Sequence, residues 1–389
     1  MSKDWVNPVV QEIPPSGIRA FVGAVDKDVI SLAIGEPDFV TPRPVIEACI
    51  EALNRGATGY TPNAGLMELR EEIARYLYTS FRLSYSPSTE MFVTVGSSEA
   101  VDLALRTILM PGDEVIVPTP SYIAYTPLAQ LHGGKVVEVQ TSEQEQFKLR
   151  AWELERHLTP RSKVLILNYP NNPTGAVMTR EDLVPIAELA ITHDLLVISD
   201  EIYAELSYGR RHTSIASLPG MKERTLVISG FSKAFAMTGW RVGYVCGNTE
   251  LIAAMLKIHQ YTAMCAPVLG QVAAIESLRN GLSDMSQMIE FYNQRRQWLV
   301  TAFRDIGLPC HEPAGAFYVF PSIAQTGLSS EEFALRLLKE AGVAAVPGHI
   351  FGAGGEGYIR CSYATGLPQL QQALERIERF MRMPLRQTS

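Results

Sequence analysis

Four short runs constrain this chain more than anything else in it: EVIVPTP (114–120), KVLILN (163–168), LLVISD (195–200) and TLVISG (225–230). Each is brief and rich in Val, Ile and Leu, without polar alternation. That is the pattern of a strand covered on both faces. Helical patterns lie between them. In TREDLVPIAELAITHD, Thr179 and Asp182 form a start signal, and apolar residues then recur at helical spacing. This rhythm predicts a doubly wound α/β core, with a mostly parallel sheet and helices on both faces.

The tail reads as α+β. A helical pattern runs from Gln287 to about Gly307, GAFYVFPSI (315–323) reads as a strand, and SSEEFALRLLKEAG as a helix with Ser329 and Glu332 at its start. GYIRCSYA (357–364) reads as another strand and LPQLQQALERIERFMRM as a final helix. With 389 residues to distribute, the expected division is a large domain over 46–290 and a smaller one over 291–389. The segment 1–45 is expected to pack with the smaller domain.

Charge and cysteines narrow the class. A net charge of −7 with no basic tract argues against nucleic acid. The opening MSKDWVNPVVQEIPPSG lacks the apolar core of a signal peptide, and no apolar run is long enough for a membrane span. Five cysteines are scattered without C-x-x-C spacing. The expectation is a reduced, cytoplasmic enzyme without a disulfide frame or a metal site.

Ligands in open α/β sheets bind beyond the carboxyl ends of the strands. There LLVISD delivers Asp200, with Tyr203 close behind, and KVLILN runs into YPNNPTG with Asn172. TLVISG leads to Ser232 and Lys233, with Arg241 eight positions on, and VTVGSSEAVDLALRTIL places Gly96, Ser97 and Ser98 at a helix start. Singly each has a bland reading: a surface lysine, a capping aspartate, an asparagine that braces a turn, a plain N-cap. Together, at one rim, they make a site. An amine among apolar residues and cations loses proton affinity and becomes an imine-forming nucleophile near neutral pH. A helix N-terminus with hydroxyls and an arginine suits a phosphate monoester. A carboxylate at a buried strand end can hold a pyridine nitrogen protonated. These are the needs of pyridoxal 5′-phosphate.

Across nearly its whole length, from SGIRAF and SLAIGEPDF to YIRCSYA, the chain resembles the class I/II aminotransferases, fold-type I pyridoxal-phosphate enzymes. SKAFAMTGWRVGY is the most specific stretch. The resemblance implies a seven-stranded central sheet and a role for each matching position. Lys233 would hold the cofactor covalently, and Asp200 would face its ring nitrogen. Tyr203 and Asn172 would hydrogen-bond the phenolic oxygen, and Tyr122 would stack on the ring. Gly96, Ser97, Ser98 and Arg241, with Ser232 as helper, would form the phosphate site. Tyr60, in GYTPNAG, would reach the phosphate in a neighbouring subunit, so a homodimer is implied. Arg360 would clamp the substrate carboxylate, which explains an arginine in an apolar strand, and Gly35 would leave room beside it. One departure stands out: many relatives carry Ser or Thr three residues before the lysine, where this chain has Gly230.

The resemblance extends to bacillar aminotransferases of the A type, assigned to N-acetyl-LL-2,6-diaminopimelate in lysine biosynthesis. That is the first substrate expected, with 2-oxoglutarate as acceptor and ping-pong kinetics. Aspartate and aromatic aminotransferases share most of the motifs, and HQYTAMCAP (259–267) is expected to contribute across the dimer. A carbon–sulfur lyase would need the same Lys233 and Asp200 but would release pyruvate and ammonia without an acceptor. A DNA-binding regulator on this fold would need an additional domain. The string GAGGEG (352–357) spells a dinucleotide fingerprint but precedes a strand instead of opening a helix, so it is read as a loop.

Overall fold

The computed structural model describes residues 5–22 and 28–383. The parts of the expected segments 1–45 and 291–389 that fall at 1–4, 23–27 and 384–389 lie outside the described residues. The strands are β1 (Ile30–Ser31), β2 (Met91–Thr94), β3 (Glu114–Thr119), β4 (Lys135–Gln140), β5 (Ser162–Asn168), β6 (Leu196–Asp200), β7 (Thr225–Gly230), β8 (Gly243–Cys246), β9 (Tyr318–Val319), β10 (Val343–Ala344), β11 (Val346–Pro347) and β12 (Ile359–Ser362).

Seven of them form the central sheet, in the order β2-β8-β7-β6-β5-β3-β4. All neighbours are parallel except β8, which runs antiparallel to both β2 and β7. The apolar runs read from the sequence are four of these strands, with bounds shifted by a residue at most. β3 and β7 are buried along their whole length, as sandwiching between helices requires. Helix Arg180–Thr192 starts as anticipated: Thr179 and Asp182 each cap the other's backbone amide.

A separate three-stranded sheet, β11-β12-β9, is antiparallel, and β1 pairs in parallel with β10. The chain after β1 is also tied to β12, since Ser362 N–H donates to Leu32 O at 2.8 Å. Thus residues 30–35 run along the tail's strands before reaching the rim of the large sheet.

Two tail elements differ from the sequence reading. The long helix spans Leu282–Asp305 and begins five residues earlier, because Gly281 closes the preceding helix through Ser277 O and opens this one. Polar LSDMSQ hides that start. Of the run 315–323 only Tyr318–Val319 pairs as a strand with β12. Ahead of it the backbone turns at Ala316 (φ 57°), whose N–H donates to Leu206 O. GAGGEG holds one short 3₁₀ turn, Ala353–Gly355, before β12 and opens no long helix.

Candidate active site

The rim at the carboxyl ends of β2, β3, β5, β6 and β7 opens on a cavity of about 650 Å³. Lys233, Asp200, Tyr203, Asn172, Tyr122, Ser97, Ser98, Ser232, Arg241, Gly35 and Arg360 all line it. Gly96 lies just behind, and Tyr60 stands apart, 84% exposed. Topology explains the convergence. Parallel strands end at the same edge, and antiparallel β8 begins there, which delivers Arg241 two residues before it.

Each bland reading is answered by a neighbour. In the NNPTG turn it is Asn171 that braces the backbone: its Oδ1 accepts from Thr174 N–H and Oγ1–H, and its Nδ2 donates to Asn168 O. Asn172 is thereby released, and its Oδ1 accepts from Arg360 Nη1 at 2.9 Å. Asp200 both caps and faces the site: Oδ1 accepts from Ile202 N–H at 3.2 Å, and Oδ2 from Tyr125 Oη–H at 2.7 Å. Burial pushes its carboxyl up to about 6, although the Tyr125 hydroxyl and the Ile202 amide favour the charged form.

The half-buried Lys233 extends its Nζ to Gly35 O at 2.7 Å. Burial pushes this amine down to about 8; Arg360 and Arg241 reinforce the shift, while Glu36 and Asp200 oppose it. Tyr203 shares a hydrogen bond of 2.8 Å with Tyr318 Oη. A Cβ at Gly35 would overlap that same Tyr318 hydroxyl, so the residue must be small.

The helix Gly96–Ile108 begins at a left-handed glycine, φ 77°, and a Cβ there would collide with Arg241 Nη2. The guanidinium therefore lies against Gly96 at the start of this helix, and it lines the same cavity as Ser97 and Ser98. A cationic fork at a helix N-terminus suits a doubly charged phosphate. The packing also accounts for Gly230. A Cβ at that position would lie 2.9 Å from both Gly243 Cα and Val242 O, and one at Gly243 would lie 2.6 Å from Ser97 N. The layers beneath the cradle leave no space for a side-chain hydroxyl at that position.

Arg360 is only 1% exposed and, among the described residues, has no carboxylate within ion-pair distance. Its Nη2 donates to Ala33 O at 2.6 Å, its guanidinium lies 4.4 Å from the Tyr318 ring centroid, and its Nε has no partner. A cation buried this way leaves its charge uncompensated until an anion arrives. Amine, acid, anion cradle and buried guanidinium together fit pyridoxal 5′-phosphate and an amino-acid carboxylate.

Sequence reasoning missed Tyr125, Asn168 and Tyr318. Tyr125 follows Tyr122 at one helical turn's spacing and Asn168 is the polar end of an apolar run, so both had a local signal. Tyr318 had none: it lies 115 residues from Tyr203 and meets it only through the fold. Also unforeseen were Ile18, Ile34 and Ile123, which add apolar surface to the lining of the cavity.

Among the described residues no cluster of His, Cys, Asp and Glu could hold a metal ion, and no helix is long and apolar enough to cross a membrane.

The family model for aminotransferase class I and II matches residues 27–377. The chain is 54% identical to the putative aminotransferase YugH of Bacillus subtilis (strain 168), over 97% of this chain and 98% of that one. It is 44% identical to a probable N-acetyl-LL-diaminopimelate aminotransferase of the same organism, over 97% and 95%. The structure superimposes with a TM-score of 0.92 on an aspartate aminotransferase from Thermus thermophilus with maleate, at 40% identity over 96% and 99%.

Proposed function

The chain belongs to the class I and II aminotransferases, pyridoxal-phosphate-dependent transaminases, and we propose that it moves the amino group of an amino acid with an apolar stretch beyond Cβ to 2-oxoglutarate. The first candidate donor is N-acetyl-LL-2,6-diaminopimelate. The observation that carries the reading is the buried Arg360, without a carboxylate partner among the described residues, in the cavity that holds the Lys233 amine.

Bound pyridoxal 5′-phosphate supplies an aldehyde for amino groups and a ring that accepts the electron pair released at the substrate Cα. The chain's residues supply the rest. Asp200 would hold the ring-nitrogen proton, and Tyr203 and Asn172 would hydrogen-bond the phenolic oxygen. Tyr122 would stack on the ring. Ser97, Ser98, Ser232 and Arg241 would fix the phosphate. Arg360 orients the substrate carboxylate by its planar fork. Lys233 Nζ, with its proton affinity lowered toward the working pH, moves the proton to and from the substrate Cα. One site serves donor and acceptor in turn, so ping-pong kinetics are expected.

The side-chain preference rests on the cations. Among the described side chains, those lining the cavity are Lys233, Arg241 and Arg360, and the proposed roles use all three. The second carboxylate of aspartate would meet Ile18, Ile34 and Ile123, whereas the methylene chain of N-acetyl-diaminopimelate or an aromatic ring would bury apolar area there. We assign any distal carboxylate to a partner subunit. We place Tyr60 and the segment 259–267 at that interface in a homodimer; Tyr60 and Tyr261 are exposed on the single chain at 84% and 92%. A panel of amino donors with 2-oxoglutarate tests the reading. The highest kcat/KM should fall to N-acetyl-LL-diaminopimelate, with aromatic donors ahead of aspartate. Aspartate as best donor would overturn it.

A further inference from the structure

Tyr125 is 1% exposed, and its side chain does two things at once. The hydroxyl donates to Asp200 Oδ2 at 2.7 Å. The ring meets Tyr122 edge-on, with centroids 5.6 Å apart and planes at 80°. It therefore touches both the acid beneath the cavity and the ring at its wall, without lying between them.

Burial alone drives a carboxyl toward its neutral form. The groups around Asp200 are few. Within its own segment the Ile202 amide donates to Oδ1, and the adjacent Glu201 repels its charge. From the β7 loop Lys233 attracts that charge, and from β5 Asn168 Nδ2 donates only to the main-chain oxygen, at 3.3 Å. Tyr125 is thus the one side chain, among the described residues, whose hydrogen bond is recorded on the carboxylate oxygens. A neutral hydroxyl donor favours the ionised acid without neutralising it, so the negative charge stays available to a protonated ring nitrogen.

We propose that Tyr125 is a positioning residue for Asp200: its hydroxyl keeps the buried carboxylate charged and aimed into the cavity, while its ring braces Tyr122. The proposal rests on the placing of Asp200 against the ring nitrogen. It assigns the local pH range over which the site accepts its cofactor to a residue that acts through Asp200.

The test is the affinity of the cofactor-free protein for pyridoxine 5′-phosphate, measured by fluorescence from pH 5 to 9. That analogue cannot bond covalently to Lys233, so the amine's reactivity drops out. Its phosphate titrates identically with every variant, and only differences between variants are read. With Tyr125→Phe, which keeps the ring and removes the hydroxyl, the acid-side loss of affinity should move up by roughly one pH unit, with little change at pH 9. An analogue with carbon in place of the ring nitrogen should show no such shift. Coincident wild-type and Tyr125→Phe curves, or the same shift with the carbon analogue, would overturn the proposal. Asp200→Asn separates the two layers of the argument. If it removes the pH-dependent difference between the two analogues, the ring-nitrogen reading stands and Tyr125 is judged on its own curve. If it leaves that difference intact, the reading of Asp200 itself fails.

Discussion

At the scale of single residues, the cavity is governed by charges held out of water. Arg360 is the clearest case. Its fork is already oriented by Asn172 Oδ1 and Ala33 O and by the Tyr318 face, so an arriving carboxylate finds a preorganised donor. Arg360→Lys keeps the charge and loses the fork. It should raise the KM for the amino donor by an order of magnitude or more, about 1.5–3 kcal/mol for hydrogen bonds to a charged group. The change in kcat should be smaller, because the carboxylate is held alike before and during reaction; steady-state kinetics would show an equal fall in kcat and kcat/KM, with KM unchanged, if this role is wrong. Lys233 carries a pH signature. With its amine pushed down to about 8, the neutral, nucleophilic fraction reaches one half near pH 8 and levels off roughly one to two units above that. Covalent capture of pyridoxal 5′-phosphate by the cofactor-free protein should follow that curve in stopped-flow absorbance. A rate still climbing through pH 10 would mean an ordinary lysine.

At the scale of elements, the decisive feature is how closely β2, β8 and β7 approach under the start of helix Gly96–Ile108. Thr94 and Gly230 both register with Gly243, and the side-chain-free positions let the helix end settle on the sheet. Gly96→Ala places a Cβ against Arg241 Nη2 at φ 77°. The backbone conformation alone costs about 1–2 kcal/mol, and the guanidinium must leave its place at the helix start. The expected outcome is a lower Tm together with cofactor loss on dialysis; full retention of cofactor would separate Arg241 from the phosphate site. The departure at Gly230 was visible in the sequence as a missing hydroxyl, but its reason was not. It depends on Val242 and Gly243 lying across from it, which only strand pairing brings about. In the same way the polar start at Leu282 and the turn at Ala316 escaped a reading based on periodicity, because Gly281 and Leu206 set them from outside the segment.

At the scale of the molecule, the proposed site is shared between two copies of the chain, and complementation tests that directly. Tyr60→Ala and Lys233→Ala should each be poorly active alone. Unfolded and refolded together, they should form mixed dimers with one intact site, and activity should recover toward a quarter of wild type, since half of the dimers are mixed and each has one working site of two. Absence of recovery would place Tyr60 within its own subunit's affairs. The amino-acid sequence by itself determined the α/β class, the strands that end in Asn168, Asp200 and Gly230, and the cofactor chemistry, because apolar periodicity and the residue types at strand ends are local properties. Tertiary structure alone decided that Tyr125 supports Asp200, that Tyr318 joins Tyr203 to Arg360, and that Asn171 and not Asn172 braces its turn. Those are contacts between distant segments, or choices between chemically identical neighbours, and both are fixed by which side chain the packed sheet leaves pointing at the cavity.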